Sequence, residues 1–65
     1  MKTINVYFGA VNKVSKGHID VEDDVDIEVL LKAWMEQGYA KVHYMSNRIF
    51  AFIPWANVVY CAYAD

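Results

Sequence analysis

Asp23-Asp24-Val25-Asp26-Ile27-Glu28-Val29-Leu30-Leu31-Lys32-Ala33-Trp34-Met35-Glu36-Gln37-Gly38 is the stretch that decides between an all-β chain and a mixed one. Ile27, Leu30, Leu31 and Trp34 recur at i, i+3, i+4 and i+7, so a helix here would bury one apolar stripe. Glu28, Lys32 and Glu36 fall on the opposite face at i, i+4 spacing, which supports the helix weakly. Asp23 or Asp24 can cap its start, while Asp26 and Glu28 sit near the positive end of its dipole. Gly38 is placed to stop it.

Either side of that helix the periodicity changes from 3.6 to 2. From Thr3 to Val11, Ile4, Val6 and Phe8 alternate with Asn5 and Tyr7; Ile19 and Val21 continue the alternation in a second strand from Gly17 to Val21. A tight turn at Asn12-Lys13 would oppose Val11 with Val14, Phe8 with Gly17, Val6 with Ile19, and Ile4 with Val21. After the helix, Tyr39–Met45 and Arg48–Ile53 read as a hairpin turning at Ser46-Asn47, since asparagine tolerates positive φ. That register pairs Tyr44 with Ile49, Val42 with Ala51 and Ala40 with Ile53 on one face. Met45, His43 and Lys41 oppose Arg48, Phe50 and Phe52 on the other.

Pro54 cannot donate to a ladder, so the chain bends at Pro54–Ala56 before a last strand, Asn57–Tyr63. This strand is apolar on both faces, which predicts a central place in the sheet or a cover from elsewhere. Ile53-Pro54-Trp55-Ala56-Asn57-Val58 resembles the 3₁₀ corner that precedes the last strand of SH3 domains. The resemblance is offset by one at Asn57 and spans these residues alone. The mid-chain helix departs from the SH3 pattern, so no function follows from it. The expected fold is therefore one α+β domain over residues 1–65: a small antiparallel sheet, β-β-α-β-β-β along the chain, with one helix packed on one face.

Composition limits the function. The chain has 65 residues, of which 57% are hydrophobic, 15% aromatic and 22% charged. A monomer of 7.5 kDa buries only ~60% of its unfolded surface, so part of this apolar content has no interior to enter. Disordered chains are polar and aromatic-poor, and that class is excluded. A formal net charge of −2 gives no global attraction for nucleic acid. Cys61, the single cysteine, cannot close an intramolecular bridge, which points to a reducing cytoplasm. The apolar run from Ile49 to Ala64 is shorter than the ~20 residues of a spanning helix and contains Pro54, so membrane insertion is not expected.

Catalytic signatures are missing: Cys61 lies in an apolar strand, Ser15 and Ser46 lie in turns, and no Gly-x-Ser-x-Gly elbow accompanies them. The acidic run lacks the glycine and the bidentate glutamate of a calcium loop; Val25 and Leu31 stand at those positions. His18 and His43 share a face without close ligand spacing, and no metal or cofactor is expected. No glycine-rich phosphate loop is present.

These exclusions leave surfaces. Tyr7, Met45, Arg48, Phe50, Phe52, Val59 and Tyr63 are the candidate oligomer or partner interface, because interface centres favour aromatics, methionine and arginine. Asp20, Glu22, Asp23, Asp24 and Asp26 form a candidate acidic surface for a basic site on a partner. His18, Lys41, His43 and Arg48 are candidate contacts for an anionic ligand between protomers or for nucleic acid. Single-stranded nucleic acid would use Tyr7, Phe50 and Phe52 for stacking and the cations for phosphates. The sequence favours a non-enzymatic, self-associating protein, a dimer or higher, that inhibits or adapts a larger protein as phage- or plasmid-type inhibitors do.

Overall fold

The computed structural model describes residues 1–10 and 12–64, residue 64 in its backbone only. Strands β1 (Lys2–Ala10) and β2 (Lys13–Val21) lead into helix α1 (Ile27–Gln37), followed by β3 (Tyr39–His43) and β4 (Phe50–Pro54). A 3₁₀ turn, Trp55–Asn57, then delivers β5 (Val58–Ala64). The order across the sheet is β4-β3-β2-β1-β5, every neighbour pair antiparallel. The expected α+β class and the sequence of elements are both present.

Helix α1 forms where the 3.6-residue spacing placed it, but its cap is Asp26. The Asp26 carboxylate accepts from the backbone N–H of Glu28 at 3.0 Å and of Val29 at 3.3 Å. Asp23 and Asp24 lie in the turn before it. The sequence places the cap two or three residues early because Asp23, Asp24 and Asp26 have equal capping chemistry, and only the backbone path selects among them. Asp26→Ala should lower stability by ~1 kcal/mol, measured as a urea midpoint shift with unchanged slope. An unaltered midpoint would deny the carboxylate that role.

Gly38 ends the helix at φ 92°, the left-handed conformation that glycine adopts without a Cβ penalty. Its N–H donates to the Trp34 carbonyl at 2.9 Å, and its own carbonyl accepts from Trp55 N–H at 2.8 Å. One residue thus ties the end of the helix to the 3₁₀ corner. The interior lies between α1 and the sheet: Ile4 and Val6 from β1, Ala40 and Val42 from β3, Ile53 from β4, and Ile27 and Trp34 from the helix.

The two hairpins join along a narrow seam. β1 and β2 pair along their whole length, from Lys2↔Val21 to Ala10↔Lys13, and β3 with β4 from Tyr39↔Pro54 to His43↔Phe50. Between β2 and β3 the registered pair is His18↔His43 alone. Gly17, next to it, is buried against Val42.

Three expectations about the strands need correction. In the first hairpin Ile4 faces Ile19, Val6 faces Gly17 and Phe8 faces Ser15, a register two residues from the one expected. A shift of two keeps every side chain on its face, so hydrophobic matching alone cannot detect it. The Val11–Val14 pairing falls partly outside the described residues; Val14 itself faces Gly9. The second hairpin has the expected register, but its ladder stops at His43↔Phe50. There Met45, not Asn47, takes the positive φ, at 70°. Finally, β5 is an edge strand bonded to β1, not a central one. A bulge shifts its register between Tyr7↔Tyr60 and Phe8↔Val58, which leaves Val59 as the extra residue and interrupts the alternation.

Candidate functional site

The sheet face away from the helix gathers most of the aromatic and basic residues singled out above. Alternation along β3 puts Tyr39, Lys41 and His43 outward, because Ala40 and Val42 point into the core. The ladder sets Phe52 opposite Lys41 and Phe50 opposite His43 on β4. On β2, His18 faces outward between buried Gly17 and half-buried Ile19. On β1, Asn5 and Tyr7 do the same between Ile4, Val6 and Phe8.

These side chains form a connected strip. The His43 ring lies 4.2 Å from the Phe50 ring and 5.6 Å from His18, centroid to centroid. Lys41 Nζ stands 4.5 Å from the centre of the Phe50 ring and 5.8 Å from that of Phe52. A cation over a ring face is attracted by its quadrupole, worth about 0.5–1 kcal/mol at an exposed site. Tyr39 meets Phe52 edge to face at 5.7 Å. At the far side of the sheet Tyr7 stacks on Tyr60, centroids 4.4 Å apart and planes 18° from parallel. Phe50 remains 47% and Phe52 61% exposed despite these contacts.

Four members of the expected interface are elsewhere. Met45, 84% exposed, and Arg48 belong to the loop joining β3 and β4, because the ladder ends before them. The Arg48 N–H donates to Ser46 Oγ at 3.2 Å, which closes that loop. Val59 is the bulge residue. Tyr63 opposes Ile4, so it lies on the helix side of the sheet, 56% exposed. With Lys2, Asp23 and Glu28 it lines an open groove of about 510 Å³ at the start of the helix. Conversely, Tyr39 and Tyr60 join the outer face although the sequence reading omitted them. Period-two counting from Lys41 and His43 would have found Tyr39. Tyr60 depends on the pairing of β5 with β1, which no local signal carries.

The acidic surface is present but partly occupied. Asp20 accepts from the Thr3 hydroxyl at 2.6 Å, Asp23 lies 3.1 Å from the Met1 amino group, and Asp26 caps the helix. Glu22 and Asp24 have no side-chain partner among the described residues.

Two titratable features remain. Burial pushes the Cys61 thiol above its ordinary value, which keeps it protonated and a poor nucleophile. His18 Nε2 lies 3.0 Å from Asn47 Oδ1, and His43 Nδ1 is buried without a partner. Among the described residues no hydrogen bond joins a serine or cysteine side chain to a histidine or carboxylate, and no helix is long and apolar enough to cross a membrane. No protein-family model matches the chain, and no curated protein or solved structure is significantly similar to it.

Proposed function

We propose that this chain is a non-enzymatic binding protein that self-associates through the outer face of its sheet. The observation that carries this reading is the strip His43, Phe50, Lys41, Phe52 and Tyr39, adjacent side chains spread over two strands and open to solvent. The accessible surface, 4631 Å², exceeds the roughly 4,200 Å² that scaling gives for this mass. Phe50, Phe52, Tyr60 and Tyr63 are among the large apolar side chains that folding leaves exposed. A second copy would cover the strip with equally aromatic surface, in the manner of an isologous interface.

Single-stranded nucleic acid is the weaker reading, because each phosphate contact needs a cation and the chain carries a formal net charge of −2. In the self-association reading the chain works by occlusion in the cytoplasm, as an inhibitor or adaptor of a larger protein. Glu22 and Asp24 would supply the acidic contact, in the manner proposed for a phage- or plasmid-type inhibitor.

Native mass spectrometry of the untagged protein should show a dimer or higher species. Replacing Phe50 and Phe52 by aspartate should weaken association roughly thirty-fold or more per residue, the scale of an interface hot spot. The melting temperature of the dissociated chain should be little changed, since both rings are exposed. A bare monomer at every concentration, or a variant that associates like the parent, would sink the proposal.

A further inference from the structure

Strand β5 has β1 on one side and, among the described residues, no hydrogen-bonded strand on the other. In an antiparallel ladder successive residues bond to alternate sides, so every second N–H and C=O of β5 points out of the sheet. Natural sheets blunt such an edge with proline, charge or a very short strand. The opposite edge is blunted in this way, since β4 has five residues and ends on Pro54. β5 has seven, Val-Val-Tyr-Cys-Ala-Tyr-Ala, with neither charge nor proline. Its bulge is confined to one end, and from Tyr60 to Ala64 the pairing with β1 is regular. The Tyr60 ring stacks on Tyr7, towards β1, and so does not screen the edge.

We infer that β5 is a second self-association site, where another copy of this chain adds its own β5 antiparallel about a two-fold axis at Ala62. An axis normal to the sheet keeps the two helices on one side, so residues of like face oppose each other. Tyr60 and Ala62 lie on the outer face, opposite Tyr7 and Asn5; Cys61 and Tyr63 lie on the helix side, opposite Val6 and Ile4. Centring on Ala62 uses the whole regular stretch. It sets Tyr60 against the alanine at position 64 and Tyr63 against Cys61, with Ala62 facing itself. Each exposed tyrosine thus meets a smaller residue, whereas centring on Tyr60 or Tyr63 would oppose identical rings. This match of the strand to its own reverse, with no like charges brought together, assigns the edge to a second copy. The contact is isologous, with the same patch used by both copies. It is independent of the outer-face strip, because Phe50 and Phe52 lie on β4 at the other end of the sheet.

Amide hydrogen exchange of the unaltered protein, followed by NMR across a concentration series, tests the main-chain contact. The β5 amides that point away from β1 should exchange fast in dilute protein and gain roughly tenfold or more protection in concentrated protein. Equally fast exchange at every concentration would overturn the edge site. The Phe50→Asp, Phe52→Asp protein should keep this protection; its loss there would overturn the edge as a separate site and leave the outer-face contact standing. Ala62 is exposed, so charge can be placed on the axis without entering the core. Ala62→Lys and Ala62→Glu should each weaken edge pairing roughly fivefold, the upper end for a cross-strand pair, and an equimolar mixture of the two should restore it. A mixture no better than either variant alone would overturn the Ala62 axis. Protection that appears only when a different protein is added would give the edge to that partner and overturn self-pairing.

Discussion

Trp34→Ala should remove about 3–5 kcal/mol of stability, a large share of the total. Trp34 is 6% exposed and shares the buried stripe of α1 with Ile27, while Leu30 and Leu31 on the same stripe are only half-buried. The helix has 11 residues, no basic side chain in its last turn, and a length below the 12–15 at which isolated helices become even marginal. Its stability therefore comes from packing, and Trp34 contributes the largest ring to that packing. Removing a buried tryptophan costs about 3–5 kcal/mol. At 0.05–0.15 kcal/mol per residue, a chain of this length has roughly 3–10 kcal/mol in total. The two ranges overlap, so the folded population collapses in the lower half and the melting temperature falls by roughly 15 °C or more in the upper half. Met35→Ala, on the exposed side of the same helix, should stay within about 0.5 kcal/mol. Urea unfolding followed by far-UV circular dichroism checks both. A Trp34→Ala loss below about 1 kcal/mol would mean that the stripe is not what holds the helix to the sheet.

The elements that were legible in the sequence are those whose partners lie close along the chain. The β3–β4 register follows from the alternation of Ala40 and Val42 against Lys41 and His43, answered by Ile53 and Ala51 against Phe52 and Phe50. The outward face of Tyr7, His18, Lys41, His43, Phe50 and Phe52 follows from the same period. What was not legible is set by distant contacts. Two registers of β1 on β2 have identical faces, and the choice between them accompanies the approach of Val42, 25 positions along the chain, to Gly17. The two-faced apolar character of β5 reads as a central place in the sheet or a cover from elsewhere; the central place is excluded, because β5 lies at the edge with Tyr60 and Tyr63 exposed on opposite faces. Intrachain packing does not account for that character, and exposed apolar edges are the surfaces that pair with other chains. Met45 and Arg48 were misplaced for a local reason: a left-handed residue at Met45 turns the chain out of the ladder before Arg48 can oppose it.

Gly17 is the position at which sequence and structure make opposite forecasts. Glycine inside a strand gives up conformational entropy on folding, and replacing it by alanine at a compatible backbone angle normally gains about 0.4–1 kcal/mol. Gly17 has no left-handed φ, so the backbone permits a side chain. The space does not. A Cβ at Gly17 would stand 2.5 Å from Val42 Cγ2 and 3.0 Å from the His43 carbonyl oxygen. Val42 is fully buried and β-branched, so its Cγ2 cannot swing aside at low cost, and the His43 carbonyl is part of the seam itself. Overpacking of this kind costs about 1–3 kcal/mol, which exceeds the entropic gain. Gly17→Ala is therefore expected to lower the melting temperature by roughly 5–15 °C, and faster amide exchange at His18 and His43 should place the loosening at the seam. The decisive comparison is the double change Gly17→Ala with Val42→Ala, which removes the obstructing methyl. Its cost should fall short of the sum of the single changes by about 0.5–3 kcal/mol, the coupling expected of residues in contact. Additive costs, or a stabilised Gly17→Ala, would show that the two hairpins are not held together by the close approach of β3 to a strand without a side chain.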